Sequence, residues 1–285
     1  MGNEVTLVLG GIGVKGIANI GVFEALSNHD VKVKKIIAAG TSAMVAVQYA
    51  LRKRPEELIG LLVNFFENNH RFLWGLEQMS GLFQTRKRRI VDSIDYFLRE
   101  RLYCRANFSR MSVLSWDMVD PLLFELFGNK TFADLEIPVA LSTIDVNNKN
   151  LVLIESGKLI DAIKASIAYS GLFPPVHFDD RELESSTPYC ELPLHAVGKE
   201  DTPVLAIDFP SAHLHPYPRT LLEIISRVSE IRNQAIKTRL LIDIDYVIKL
   251  ENLRLYRWGN YRRIPGMIRR AKEDTLRQLV TLLDL

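Results

Sequence analysis

The fold is decided by residues 5–51, which read VTLVLGGIGVKGIANIGVFEALSNHDVKVKKIIAAGTSAMVAVQYAL. Val5–Leu9 is a short apolar run that ends in glycines and Val33–Ala39 is a second apolar run, so both are predicted to be buried strands. Helical patterns of apolar residues cover Lys15–Leu26 and Ala43–Leu51. Two strands that alternate with two helices predict a βαβ unit with parallel strands.

The rest of the chain continues this α/β pattern. Further strands are predicted at residues 137–144, 151–154, 203–207 and 246–249, and a further helix at residues 159–168. We therefore predict one α/β domain over residues 1–285, with a helical insertion at about 55–127 and a helical C-terminal part at about 219–285.

The composition is that of a folded globular chain. Of 285 residues, 47% are hydrophobic and 25% are charged, which excludes a disordered chain. The net charge of +2 argues against a strongly electrostatic nucleic-acid binder. No apolar run reaches the roughly 18 residues of a spanning helix, and no basic region precedes the first apolar run as it does in a secretory signal. We therefore expect a cytoplasmic protein.

The first turn has the pattern G-x-G-x-x-G over Gly11–Gly16, between a strand and a helix. A dinucleotide site would use such glycines to bring backbone N–H groups against a pyrophosphate. That site also requires an acidic residue at the end of the second strand, where this sequence has Ala38-Ala39-Gly40. A P-loop does not fit either, because Lys15 is followed by glycine. The loop taken alone also fits a tight turn without a ligand.

The second turn, Gly40-Thr41-Ser42-Ala43-Met44, also joins a strand to a helix. A serine in such a turn can be held out as a nucleophile with helix N–H groups nearby, as in the motif G-x-S-x-G. Ser42 could equally be a helix N-cap. Because the two strands are predicted to be parallel neighbours, both turns are expected at the same carboxyl edge of the sheet. N–H groups of the first turn could then form an oxyanion hole for Ser42.

With both turns in view, residues 7–26 (LVLGGIGVKGIANIGVFEAL) and 36–51 (IIAAGTSAMVAVQYAL) resemble the opening of a patatin-like phospholipase domain. Residues 130–176 and 245–258 are similar to later segments of bacterial members of that family. The resemblance covers nearly the whole chain. It implies a three-layer α/β/α sandwich with a mostly parallel central sheet.

The resemblance also implies a Ser–Asp dyad that hydrolyses phospholipid or lysophospholipid esters without a cofactor. Ser42 falls on the nucleophile, after Gly40 of the elbow. Gly11, Ile12 and Gly13 fall on the oxyanion loop, and Lys15 falls on its basic, anion-contacting position.

The sequence departs from the family where the aspartate is expected. In the family this residue lies in D-G-[GA], shortly before N-x-P. Aligning Glu191-Leu192-Pro193 with N-x-P puts Ser185-Ser186-Thr187 on D-G-G, so Ser185 stands in place of the aspartate. A hydroxyl is a poor base at neutral pH and cannot neutralise a developing cation.

Two further departures lie in the turns. Ile12 replaces the middle glycine of the oxyanion loop, which costs energy if that position requires a positive φ. Met44 replaces the last glycine of the elbow and could fill the space over the serine. Three departures at one site suggest a relaxed catalytic demand.

Other side chains could replace the missing acid. Glu184 is adjacent to Ser185, but neighbours on an extended strand point to opposite faces, so Glu184 would need a bulge or a register shift. Asp179 and Asp180 are also close in sequence.

Three histidines, His195, His213 and His215, follow Ser42 in the order of a Ser–acid–His hydrolase, although nothing in the sequence places one opposite the serine. No spacing of histidine, cysteine and acidic residues indicates a metal site.

A basic stretch near the C-terminus suggests a membrane contact. Leu253–Lys272 holds seven basic residues and no acidic one, together with Tyr256, Trp258 and Tyr261. Such a segment can lie on an anionic membrane surface. It can also be the solvated face of a packed helix, with the aromatic residues in the core.

Two functions therefore remain open. The first is a serine acyl hydrolase, with the acid near Glu184 and Ser185 unidentified. The second is a pseudohydrolase that keeps the fold, has lost the dyad, and binds lipid or a protein partner. The sequence does not indicate an oligomeric state.

Overall fold

A computed structural model describes residues 4–52, 55–69, 112, 114–210, 221–254, 256 and 261–282. Within these residues the chain forms a central sheet of eight strands. The strands are β1 Glu4–Leu9, β2 Lys32–Ala38, β3 Val139–Asp145, β4 Asn150–Ile154, β5 Val176–Phe178, β6 Arg181–Ser185, β7 Val204–Asp208 and β8 Tyr246–Lys249.

The sheet is mostly parallel, as predicted. Hydrogen-bonded neighbours follow one another as β5-β6-β3-β2-β1-β7-β8, and β4 also pairs with β3. The neighbours from β3 to β8 along this order are all parallel. The pairs β3–β4, β3–β6 and β5–β6 are antiparallel.

Helices cover both faces of this sheet. In the described residues they are α1 Val14–Ile17, α2 Asn19–Ser27, α3 Ser42–Ala50, α4 Pro55–Asn68, α5 Asp120–Phe127, α6 Leu159–Ile167, α7 Leu221–Leu240 and α8 Ile264–Leu282. The helix predicted over Lys15–Leu26 is thus two helices separated by Ala18. The helices α4 and α5 fall within the predicted insertion, and the rest of that insertion lies largely outside the described residues.

The alternation of side chains along β1 explains the three layers. Val5, Leu7 and Leu9 face the larger core, which also holds apolar residues of α2, α3, α6 and α8. Val8 faces a smaller core on the other side of the sheet, formed with Leu192 and the segment that follows it. Because both faces are covered, most residues of β1, β3 and β7 are buried.

Strand β3 brings distant segments together. Its residue Leu141 pairs with β4 and with β2, and its residue Thr143 pairs with β4 and with β6. Since β4 occupies one edge of β3 at both residues, β2 and β6 share the other edge. The end of β6 at Ser185 therefore lies in line with the end of β2, just before Gly40.

Candidate active site

The glycine loop follows β1 and keeps its glycines for conformational reasons. Gly11 has a φ of +130° and Gly13 a φ of +59°, in the region that side chains disfavour. Ile12, which is predicted to stand at the family's middle glycine, does not have a positive φ. The loop therefore accommodates a β-branched residue there without the backbone strain considered from the sequence.

Two polar side chains fix this loop, Asn19 by bonding its two ends and Thr41 by joining it to the elbow. The amide of Asn19 is fully buried and donates to the carbonyls of Gly10 and Gly16, both at 3.1 Å. The hydroxyl of Thr41 lies 3.1 Å from the carbonyl oxygen of Gly11 and also contacts that of Gly13. The sequence analysis singled out neither side chain for this role, although Asn19 is a polar residue within the predicted helix Lys15–Leu26.

The elbow turns at Gly40 rather than at Ser42. Gly40 has a φ of +67°, whereas Thr41 has φ −68° and ψ −15°, which is already helical. Ser42 is therefore the first residue of α3. Met44 lies in the same helix and is buried in the larger core.

The hydroxyl of Ser42 is engaged by the backbone. Ser42 is fully buried, and its Oγ lies 2.7 Å from the carbonyl oxygen of Ala39 and 3.1 Å from that of Leu9. A hydroxyl has one proton, so it donates to one of these carbonyls at a time. In this arrangement the proton of Ser42 is held by a peptide carbonyl and not by a base.

The segment Ser185–Thr187, here called the dyad segment, lies beside the elbow. A Cβ atom built on Gly40 would lie 2.8 Å from Cγ2 of Thr187. The segment is buried and contains only hydroxyl side chains, with Oγ of Ser185 2.9 Å from Oγ1 of Thr187. The structure thus brings the segment predicted to correspond to the family's D-G-G next to the elbow, and that segment contains no carboxylate.

Glu184 lies on the other side of β6. It is half-buried between the buried residues Leu183 and Ser185, and its carboxylate accepts a hydrogen bond from Ser170. Asp179 and Asp180 lie in the turn that joins β5 to β6. The hydroxyl of Ser42 bonds to backbone carbonyls and to none of these three carboxylates.

His195 is paired with a different serine. Its Nε2 lies 3.1 Å from Oγ of Ser142, a fully buried residue of β3. Burial lowers the pKa of His195, and its Nδ1 is buried without a partner in the described part of the chain. His213 and His215 lie outside the described residues.

The helix α7 supports the dyad segment from outside. Asn233 donates from Nδ2 to the carbonyl of Thr187 at 3.0 Å and accepts at Oδ1 from the N–H of Glu191 at 3.0 Å. On the same helix, the buried ammonium of Lys237 lies 2.6 Å from a carboxylate oxygen of Asp208, at the end of β7. The sequence alone gave no signal for Asn233, because both partners are distant in the chain.

The structure also locates Lys15 and part of the basic stretch. Lys15 lies in α1 and is half-buried. Of the basic stretch, Tyr256 and Tyr261 pack against the larger core, and Trp258 lies outside the described residues.

No cluster of three potential metal ligands occurs among the described residues. In the same part of the chain, no helix is long and apolar enough to cross a bilayer.

These segments match a known family. The model of patatin-like phospholipases matches residues 7–191, which include the glycine loop, Ser42 and the dyad segment. This chain belongs to the patatin-like phospholipase family. The family recognised from the sequence is therefore confirmed, and so is its α/β sandwich.

Individual relatives are more distant. Lysophospholipase NTE1 of Scheffersomyces stipitis is 24% identical over 214 residues, which are 74% of this chain and 12% of that protein. The crystal structure of VipD from Legionella pneumophila aligns with a TM-score of 0.51 and 13% identity, covering 98% of this chain and 66% of VipD. The type III effector ExoU aligns with a TM-score of 0.41 and 14% identity, over 98% of this chain and 53% of its own. This chain thus spans a small part of the lysophospholipase, and the likeness to VipD concerns the fold alone.

Proposed function

We propose that this chain is a single patatin-like domain that binds acyl lipid. We propose further that it does not hydrolyse esters, because it has no Ser–Asp dyad. The observation that carries the proposal is the burial of Ser42 with its hydroxyl on the carbonyl of Ala39. A nucleophilic serine must face the acyl carbonyl and pass its proton to a base. Ser42 is covered, and Ser185 offers a hydroxyl where a carboxylate would be needed.

The lipid part of the proposal rests on the glycine loop. Within the described residues, the N–H groups of Gly11, Ile12 and Gly13 make no backbone hydrogen bond. Adjacent N–H groups of this kind can receive an acyl carbonyl or phosphate oxygen, and Lys15 adds a cation next to them. The name of the relative, lysophospholipase, supports a lysophospholipid or phospholipid as the ligand.

A second candidate function is hydrolysis of such an ester, and the same N–H groups favour it as an oxyanion hole. Ser42 would have to turn away from Ala39. Its Oγ would bond to the acyl carbon as its proton passes through a base to the departing alcohol, and water would then release the fatty acid. Glu184 could be the base only if it left Ser170 and reached the other face of β6.

Labelling with a fluorophosphonate, followed by intact-mass measurement, separates the two functions. The wild type is compared with Ser42→Ala and with Ser142→Ala, since Ser142 is the serine that lies next to a histidine. We expect no adduct on any of the three proteins. A single adduct that is lost only in Ser42→Ala would establish the hydrolase instead.

Native mass spectrometry with lysophosphatidylcholine tests the lipid itself. We expect a complex of one lipid per chain in the wild type and in Ser42→Ala. Failure of both proteins to retain the lipid, under conditions in which they stay folded, would overturn the binding proposal.

A further inference from the structure

The helix α7 exposes three large apolar side chains among its polar ones. The side chains that face the protein include Asn233 and Lys237, which bond to the dyad segment and to Asp208. Its exposed residues include Ile224, Val228 and Ile231, with 48%, 60% and 62% of their surfaces accessible. A surface helix of a soluble protein normally buries its apolar stripe and exposes its polar one.

The exposed apolar residues form one continuous stripe. Ile224, Val228 and Ile231 are separated by four and three residues, so they lie on one face of the helix. We call these three residues the α7 stripe. Contiguous exposed apolar surface of this kind marks a site of interaction with a partner or a membrane.

The charges beside the α7 stripe identify the partner. Arg227 is three residues from Ile224 and four from Ile231, and Arg232 is four residues from Val228, so both arginines flank the stripe. The acidic residue described on this helix, Glu230, is not at such a spacing from any stripe residue and instead lies 3.8 Å from Arg227. Among the described side chains of α7, the stripe is therefore flanked by two arginines, of which Arg227 is ion-paired with Glu230 and Arg232 donates a hydrogen bond to the carbonyl of Pro188.

We infer that the α7 stripe docks on the surface of an anionic lipid bilayer. An apolar face bordered by arginines is the pattern of a helix that lies in the plane of the interface, where the apolar side chains enter and the cations meet anionic headgroups. This contact is distinct from the basic stretch Leu253–Lys272. It also goes beyond the proposed function, because it lies outside the Ser42 site and is measured without it.

The position of α7 gives this contact a consequence for the site. Asn233, on the opposite side of the helix from the stripe, bonds to Thr187 and Glu191. The dyad segment is therefore separated from the bilayer by about one helix diameter, roughly 10 Å. Lipid that leaves the interface along α7 would reach the elbow over a short path.

Co-sedimentation with vesicles tests the inference. The probes are phosphatidylcholine vesicles with and without phosphatidylglycerol, and the variant is Val228→Glu/Ile231→Glu. The control is Leu151→Glu/Leu153→Glu, which changes two exposed apolar residues of β4. We expect the wild type and the control to bind only the anionic vesicles, more weakly at high salt, and the α7 variant to bind at least about tenfold less, given the transfer energy of one aliphatic side chain.

Three results would overturn the inference. The first is equal binding of the wild type and the α7 variant. The second is loss of binding in Arg269→Gln/Arg270→Gln together with no change in the α7 variant, which would assign the contact to the basic stretch. The third is no vesicle binding at all. If light scattering then shows a dimer that the α7 variant abolishes, the occupant of the stripe is a second copy of the chain. Circular dichroism spectra confirm that each variant is folded.

Discussion

Thr187 packs directly against Gly40: a Cβ atom built on residue 40 would lie 2.8 Å from Cγ2 of Thr187, and 2.7 Å from the carbonyl oxygen of Gly11. The glycine loop, the elbow and the dyad segment therefore meet at one backbone position. This packing is present although the dyad segment carries Ser185 where the family resemblance predicts an aspartate.

The tight contact at Gly40 predicts a large cost for a single methyl group. We expect Gly40→Ala to lower the free energy of unfolding by about 3 kcal/mol, because a positive φ costs about 1–2 kcal/mol and overpacking adds about 1–3 kcal/mol. The matched control is Gly171→Ala, which has a φ of +78° but no atom within 4 Å of the added Cβ, and should lose about 1 kcal/mol. Urea denaturation measures both. Equal losses in the two variants would contradict the packing argument.

The ion pair of Lys237 and Asp208 predicts a second large effect. The two side chains are 3% and 8% exposed, so Lys237→Met would leave a buried carboxylate without its cation. We expect a loss of about 3–5 kcal/mol in the free energy of unfolding. The exposed pair Arg269–Glu273 is the control, and Arg269→Met should cost less than about 1 kcal/mol.

A double variant, Asp208→Asn/Lys237→Met, separates the charge from the packing. It should regain a substantial part of the stability that Lys237→Met loses, because no buried charge remains. If it is as unstable as the single variant, then the packing of the lysine stem and not the unpaired carboxylate explains the loss.

Burial of His195 predicts a dependence of stability on pH. Its pKa in the folded chain lies below the ordinary value of 6.5, which it regains on unfolding. Between these two values the unfolded chain binds more protons, so the free energy of unfolding falls as pH decreases through 6.5 toward the lower pKa. Stability curves of the wild type and His195→Gln should diverge in that window.

Restoring the dyad aspartate should not restore catalysis. In Ser185→Asp/Ser186→Gly the new carboxylate would replace a buried hydroxyl that bonds to Oγ1 of Thr187, while Ser42 would stay on the carbonyl of Ala39. We expect no increase in the hydrolysis of a fluorogenic acyl ester, together with lower stability. A gain in turnover that Ser42→Ala abolishes would show instead that only the acid is missing.

The pairing of β1 with β2 could be predicted from the sequence because it depends on patterns of neighbouring residues. Two apolar runs, each followed by a glycine turn and a helix, leave few topologies other than a parallel pair. The hairpin of β5 and β6 was not predicted from the sequence. The charged residues Arg181, Glu182 and Glu184 make β6 resemble an exposed segment, and its buried positions Leu183 and Ser185 are recognised only from the pairing with β3.

The details of the candidate site depended on contacts that no local pattern contains. The letters Gly40-Thr41-Ser42 fit a turn with its apex at the glycine or at the serine, and only the packing of Gly11 and Thr187 around residue 40 favours the glycine. The positions of Asn19 and Asn233 are set by backbone groups that they reach across the fold. The partner of His195 is a strand serine that the family resemblance did not involve.

The end-to-end arrangement of β2 and β6 along one edge of β3 restricts how this site can evolve. A residue inserted into the turn at Gly40 would drive the chain into Thr187, and one inserted after Ser185 would push back against the same turn. Insertions in these turns are therefore expected to disrupt the packing. The chemistry of the site can change more readily through exchange of side chains on the same backbone. The replacements that the family resemblance predicts at Ile12, Met44 and Ser185 would be changes of that kind.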